Sequence, residues 1–335
     1  MQNQAILECV PNFSEGRRPA VIAAIADAIR SVEGVQFLHI DVGAAANRTV
    51  MTFVGEPAKV VEAAFQAIKK ASEQIDMRQQ KGEHPRIGAT DVCPLIPIQN
   101  ISLAEVISYA KQLAQRVAEE LAIPIYLYEA AAPQSYRSNL ASIRRGEYEG
   151  LAEKMKSEKW RPDFGNSFNA RSGASVIGAR NFLIAYNINL NTYDLDAATA
   201  IAQEIRTSGK WVVENGIKKR IAGSCAALKA IAWYIEEYDK VQISMNLTDF
   251  RQTGMHQAFE ACKLAAQKRD VVVTGSELIG LVPLETILEA GKFYAPTLSN
   301  EEALIEVAIQ KLGLRAIKPF LPEERIIEYR LEVRR

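Results

Sequence analysis

Apolar positions along the chain switch between an alternating spacing and a spacing of three to four residues, and the switches mark the elements. Residues 5–10 read as a short first strand, followed by a turn-rich loop, Pro11-Asn12-Phe13-Ser14-Glu15-Gly16. Pro19 suits the first turn of a helix whose Ile22, Ile25, Ile29 and Val32 share one face, and Gly34 ends it. Residues 35–41 alternate as a strand, residues 42–48 form a loop of small side chains, and residues 49–54 are β-rich. Pro57 opens a helix carrying Val60, Val61, Ala64, Ile68 and Ala71. Residues 92–98 form the next strand. Pro94 and Pro97 cannot donate to a ladder, which predicts an irregular or edge position for it. Ser102 followed by Glu105 predicts a capping box, and residues 123–128 a further strand. The order β-α-β-β-α-β is that of a ferredoxin-like fold. Residues 138–160 read as extra helical turns and a linker with a solvated charged face.

The second half repeats the order without repeating the sequence. Residues 180–190 read as one long strand, and Asp194 caps a helix running to about residue 208. Residues 228–235 and 241–247 pair around Glu236-Glu237-Tyr238-Asp239. A helix over 257–268 and a strand over 271–279 follow. Helices from Leu284 and over 300–312 complete the chain. The fold class is therefore α+β, with two ferredoxin-like α/β subdomains at 1–180 and 181–298 and a helical tail at 299–335.

Composition narrows the function classes. The 335 residues carry 40 basic and 40 acidic side chains, which argues against bulk nucleic-acid or polybasic membrane binding. No apolar run approaches the ~20 residues of a membrane span, and Met1-Gln2-Asn3-Gln4 does not open a signal peptide. Cys9, Cys93, Cys225 and Cys262 are scattered, so neither a disulfide framework nor a zinc site is expected, and a reducing cytoplasm is the natural setting.

Chemistry concentrates in Gly82-Glu83-His84-Pro85-Arg86-Ile87-Gly88-Ala89-Thr90-Asp91, just ahead of a proline-punctuated strand. His84 is one of three histidines and titrates near neutrality when unperturbed. Pro85 disfavours the α region for it, and Gly82 and Gly88 let the backbone bend on either side. The connection over 76–91 is long for a helix-to-strand link, and such loops are often functional. A second glycine-rich loop, residues 161–174, has no Walker spacing. With Phe164, Phe168 and Arg171 among small residues it suits a flat, partly anionic ligand, or serves as an inter-domain linker.

Several ordered strings carry a resemblance: Glu8-Cys9-Val10-Pro11-Asn12-Phe13-Ser14-Glu15-Gly16, Asn47-Arg48-Thr49-Val50, residues 82–97, Pro162-Asp163-Phe164-Gly165, Gly178-Ala179-Arg180 and Gly280-Leu281-Val282-Pro283-Leu284. Together they resemble the glutamate formimidoyltransferases and the transferase domain of formimidoyltransferase–cyclodeaminase. The resemblance implies transfer of a formimidoyl group from N-formimidoyl-L-glutamate to N5 of tetrahydrofolate, in histidine breakdown. It implies a ligand cleft between the subdomains, a homodimer, and His84 as the catalytic histidine. It places the folate-binding segment at 165–174, with Gly165, Asn166, Ser167, Phe168, Gly173 and Ala174. Asn169-Ala170-Arg171-Ser172 departs from the family pattern. With no cyclodeaminase segment in the chain, that step is expected of a separate protein.

Amidine transfer to an amine requires a nucleophile that loses a proton and a leaving amine that gains one. A single base near neutrality serves both steps, and His84 fits. Asp41 is a candidate to orient or charge-stabilise the ring, with Asp91 its rival. Arg48 and Arg86 are candidate carboxylate forks, and Asn12 a candidate for the pterin edge. None of this chemistry needs a metal, and Cys93 reads as a small buried residue rather than a nucleophile. Formyl exchange with 5-formyltetrahydrofolate in the same site and a non-catalytic folate-binding protein are the alternative readings.

Overall fold

A computed structural model describes residues 4–214 and 216–332. The chain divides into two units, Met1–Asn181 and Phe182–Arg335.

In the first unit, β1 (Ile6–Cys9) and β2 (Asn12–Phe13) act as one strand interrupted at Val10-Pro11. α1 (Pro19–Arg30), β3 (Val35–Gly43), β4 (Arg48–Gly55), α2 (Pro57–Gln74) and β5 (Thr90–Gln99) follow. β4 pairs with β3 on one side and with β1 and β2 on the other, and β5 flanks β1 and β2 on their far side, all antiparallel. The sheet then extends by parallel pairing. α3 (Leu103–Leu121) leads to β6 (Ile125–Glu129). After α4 (Leu140–Arg144) and α5 (Glu147–Lys156), β7 (Ser175–Ala179) slides between β5 and β6. The Ser102–Glu105 capping box opens α3 as expected, with Glu105 Oε2 accepting from the Ser102 N–H at 2.8 Å. Leu7, Phe13, Phe53 and Leu95 from the strands meet Ile25, Ile68 and Val106 from the helices in one core.

Three features differ from the sequence reading. β5 is irregular in its pairing with β1 and β2, one of the two expected outcomes, but it is an interior strand and not an edge. Pro94 is accommodated because it faces the break between β1 and β2, where its carbonyl accepts from the Val10 N–H at 3.3 Å. The strand expected over 180–190 begins only at Ile184, as β8 (Ile184–Leu190), and β7, just ahead of it in the other sheet, is an additional strand that the sequence reading did not contain. α4 and α5 are not a solvated linker. Ile143 and Leu151 pack on Val92, Tyr126 and Val176, closing the second face of the sheet.

The second unit continues from β8 through α6 (Leu195–Ile205), β9 (Lys210–Glu214), β10 (Ile217–Ile221), β11 (Leu228–Ile235), β12 (Lys240–Leu247), α7 (Met255–Gln267) and β13 (Val273–Ile279). Its four-stranded antiparallel sheet runs β11-β12-β8-β13, the same order as β3-β4-β1/β2-β5. β9 and β10 form a separate exposed hairpin that the sequence reading did not anticipate, although Trp-Val-Val-Glu-Asn-Gly-Ile is a hairpin pattern. α8 (Leu284–Tyr294), α9 (Glu301–Leu312), α10 (Pro322–Arg325) and α11 (Ile327–Glu332) follow. Ile305, Ile309 and Leu312 of α9 enter the same core as Tyr186, Ile188 and Phe259, so residues after 299 are part of this unit's packing.

β7 anchors the glycine-rich loop that precedes it, and Ile177 is fully buried at its centre. Ile177→Ala is expected to cost about 2–5 kcal/mol of stability by urea unfolding. A loss below about 1 kcal/mol would show that β7 is not an integral strand.

Candidate active site

Four stretches of the first unit converge at one end of its sheet. The Ser14 N–H donates to the Ala89 carbonyl at 2.9 Å and its hydroxyl to the Gly88 carbonyl at 2.7 Å. Asn47 accepts from the Gly16 N–H at 2.9 Å and donates to the Lys81 carbonyl at 2.8 Å. The Ala89 N–H donates to Ser172 at 2.8 Å, and the Ala174 N–H to Ile87 at 3.0 Å. A Cβ on Gly173, which sits at φ +69°, would collide with the Ile87 carbonyl, and one on Gly88 with the Ala174 carbonyl. The GEHPR loop and the end of the 165–174 loop are therefore one joined backbone.

Asp91 lies at the centre, 0% exposed. Its Oδ2 accepts from Arg48 Nη2 at 3.0 Å and from Arg144 Nη2 of α4, and its Oδ1 from the Ile87 N–H at 3.0 Å. Burial works to raise the Asp91 pKa, but the two guanidinium groups and the Ile87 N–H outweigh it and hold the carboxyl below its ordinary range. Burial, with Arg144 nearby, pulls the Arg48 pKa down to about 9, against the pull of Asp91. It remains a cation at neutral pH. Arg48 Nε donates to Asn12 Oδ1 at 2.8 Å, and its Nη1 meets His84 Nδ1.

His84 is half-buried. Burial, and then the charges of Arg48 and Arg144, hold its pKa well below 6.5, against weaker opposing effects of the Pro85 carbonyl and Asp91. The ring is thus neutral at pH 7, with Nδ1 against Arg48 and 2.9 Å from the Pro85 carbonyl. The tautomer with a proton on Nδ1 donates to Pro85. The other accepts from Arg48.

The remaining predicted residues fall into distinct places. Asp41 lies in one row across the sheet with Val50 and Asn12, on the face that carries Arg48, and its Oδ2 is 3.8 Å from His39 Nε2. Arg86 lines a groove of about 550 Å³ with Lys81, Gly82, Gly146, Glu147 and Glu149, but its fork is filled internally. It donates to Gln80 Oε1 at 2.7 Å, to Glu149 at 2.6 and 2.8 Å, and to Glu147 at 3.0 Å. Gly165, Asn166, Ser167 and Phe168 are exposed, with the Phe168 ring 6.0 Å from that of Tyr148. Gly173 and Ala174 are buried in the loop junction, which makes Gly173 a packing position as well as a candidate ligand position.

Sequence reasoning missed Arg144 and Glu8. Arg144 had no local signal, since its partner is 53 residues away. Glu8 sits mid-strand between Val54 and Ile96. Its Oε2 has no hydrogen-bond partner, and burial pushes its carboxyl up to about 7 against the opposing charge of Arg180. All four cysteines are buried thiols, and Cys9 Sγ is 3.5 Å from Cys93 Sγ. Among the described residues, no group of three or more His, Cys, Asp or Glu side chains is placed to hold a metal ion, and no helix is long and apolar enough to cross a membrane.

An imidazole beside two guanidinium groups, at one end of a mixed α/β sheet, is a candidate proton-transfer site. The chain belongs to the formiminotransferase domain family: residues 6–180 match the formiminotransferase domain, N-terminal subdomain, and residues 185–332 match the formiminotransferase domain. It is 46% identical over 332 residues to the formimidoyltransferase-cyclodeaminase of Dictyostelium discoideum, covering 98% of this chain and 60% of that relative. It is 44% identical over 292 residues to the glutamate formimidoyltransferase of Thermoplasma acidophilum (87% of this chain, 92% of the relative). The corresponding protein of Streptococcus pyogenes is 42% identical over 290 residues (86% and 93%).

The buried charges have two measurable consequences. Asp91→Asn leaves two guanidinium groups without their carboxylate and is expected to cost about 3–5 kcal/mol by urea unfolding. A change within about 0.5 kcal/mol would show the ion triad to be dispensable. The pH response has a definite sign. Unfolded His84 takes up a proton near 6.5 and the folded residue does not, so stability falls as pH drops below that value. The Asp91 contribution is present above 3.8 and is lost only as pH falls through its lower folded value. His84→Gln should therefore lose less stability than the native protein between about pH 7.5 and about pH 5.5. Equal losses would remove His84 from the acid response.

Proposed function

We propose that the protein transfers the formimidoyl group of N-formimidoyl-L-glutamate to N5 of tetrahydrofolate, yielding 5-formimidoyltetrahydrofolate and L-glutamate. The observation that carries this reading is the neutral His84 ring against Arg48, at the centre of a chain whose relatives include glutamate formimidoyltransferases. Tetrahydrofolate supplies the accepting amine. In the tautomer that donates Nδ1–H to Pro85 in place of accepting from Arg48, the lone pair lies at Nε2, which takes the proton from that amine. Once protonated, the ring lies beside Arg48, and charge repulsion favours passing the proton to the departing glutamate nitrogen.

Asp91 and Arg144 act by fixing Arg48, and Asn12 holds its Nε. Asp41, sharing a row and a face with Asn12, is placed to bias the charge of the site. The buried fork of Arg86 serves the loop rather than a ligand carboxylate, while Gly165 to Phe168 are the accessible part of the segment assigned to folate. The chemistry runs on proton transfer and requires no metal. The ferredoxin-like description of each unit is supported by the shared strand order. A homodimer and a cytoplasmic setting suited to four buried thiols complete the reading.

Turnover with tetrahydrofolate and either N-formimidoyl- or N-formyl-L-glutamate tests the donor. Release of glutamate only from the formyl compound would replace the formimidoyl assignment. His84→Ala should lose about 10²–10⁴-fold in kcat while binding of the folate persists. The acid limb of the native pH–rate profile should lie below 6.5, lower than an unperturbed imidazole dictates, and should vanish in the variant. Native-rate turnover by His84→Ala would remove the residue from the mechanism.

A further inference from the structure

The β9–β10 hairpin of the second unit takes no part in the proton transfer at His84, and its strands are open to solvent. Its base is fixed to the end of α6, where the Ser224 N–H donates to the Glu204 carbonyl at 2.9 Å and the Cys225 N–H to the Ile205 carbonyl at 2.9 Å. Beyond that base every residue of both strands is exposed except the half-buried Val212. Trp211 is 62% exposed, Val213 70% and Ile217 71%. Among the described residues, β9 and β10 pair only with each other. A lone two-stranded hairpin is marginally stable in water, and three or more strands are needed for independent stability. Large apolar side chains beside an unpaired strand edge mark an interaction surface.

The two edges are not equivalent. β10 carries Lys218-Lys219-Arg220, and consecutive cations on an edge strand repel a second copy of themselves. β9 reads Lys210-Trp211-Val212-Val213-Glu214, with opposite charges at its two ends. A two-residue connection makes Glu214 and Ile217 the closing hydrogen-bonded pair. Hydrogen-bonded pairs alternate from there, so the N–H and C=O groups of Trp211 and Val213 point away from β10. An antiparallel copy of β9 centred on Val212 fits both the hydrogen bonds and the charges. Trp211 then lies opposite the partner's Val213, each such pair exchanging both its N–H···O bonds. Lys210 lies opposite the partner's Glu214, and Val212 meets its own copy at the closer, non-hydrogen-bonded spacing. Sliding the copy to the next hydrogen-bonded register in either direction loses both Lys–Glu pairs.

We propose that β9 is the seam at which two copies of this chain join, edge to edge about a two-fold axis, as a sheet in the order β10-β9-β9-β10. This contact closes on itself, whereas β9 against the partner's β10 would be head-to-tail and leave an edge for a further copy. One face of the joined sheet carries Trp211 and Val213 of both copies. Lys218 and Arg220 flank them, with Lys218 Nζ 5.3 Å from the centre of the Trp211 ring. On the other face Glu214 has Lys219 at 3.9 Å, a loose pair that leaves the carboxylate open to the partner's Lys210. The proposal rests on the homodimer of the proposed function and names its contact.

Sedimentation equilibrium of the full chain tests the seam by charge exchange. Lys210→Glu sets glutamate against glutamate and Glu214→Lys sets lysine against lysine, so each should weaken dimerisation about tenfold or more. The double variant restores opposite charges and should recover the native dissociation constant to within about threefold. Should a single variant not fold, the native protein gives a second test. Dilution to monomer should shift its tryptophan emission to the red, and Trp211→Phe should abolish that shift although Trp160 and Trp233 remain. Single variants that dimerise with native affinity overturn the seam, as does a double variant no better than the singles or a red shift that persists in Trp211→Phe. Each of these leaves a homodimer formed through another surface. Native protein that stays monomeric up to roughly 100 μM overturns the seam and the homodimer together.

Discussion

The candidate catalytic centre depends on one buried carboxylate. Asp91 is taken fully out of water and held between Arg48 and Arg144, with the Ile87 N–H on its other oxygen. A buried ion of this kind stabilises little by itself, because desolvation offsets most of the Coulomb attraction. Its effect is positional. It fixes the guanidinium of Arg48 beside His84. Burial does most to keep the histidine neutral, and the fixed cation adds to it.

Proton affinity and ligand attraction are thereby separated. A histidine raised by a carboxylate would be a stronger base but would sit protonated at neutral pH. Here the ring is a weaker base that is present entirely in its accepting form. Arg48 keeps positive charge at the site, while Arg86, which looks like the natural carboxylate fork from sequence, is closed by Glu147 and Glu149. The two arginines illustrate how little residue type alone decides: each sits in a glycine-flanked loop, and only the long-range partner separates a site cation from a loop brace.

Much of the fold was legible because it rests on local physics. Apolar spacing located α1 and α2, and Ser102 with Glu105 located the start of α3. The βαββαβ order could be followed through both units. Apart from the local β9–β10 hairpin, the failures share a cause: each depended on a partner far away in sequence. Pro94 looked like an edge residue because the break in β1/β2 opposite it lies more than 80 residues earlier. β7 was hidden by Gly178, which weakens strand propensity yet is required there, since a Cβ would collide with the Tyr128 carbonyl. In the site, His84 and Asp91 were visible in one dense polar string and Asn12 and Arg48 in two other loop stretches, whereas Arg144 stood in a charged stretch that read as solvent-facing. Glu8 was invisible as a carboxyl because a single acid in a strand gives no sign of whether water reaches it.

The touching backbones of Gly88 and Gly173 bear on how such a protein can be altered. Two loops separated by 85 positions in the chain behave as one inheritable part, because neither can gain a side chain at the seam without displacing the other. Transplanting either loop alone into a relative would carry half of a joint. Randomised libraries would find freedom at Asn166, Ser167 and Phe168, which face solvent, and almost none at the seam. Any exchange of ligand preference between such proteins would therefore have to move both segments together, or be confined to the exposed tip.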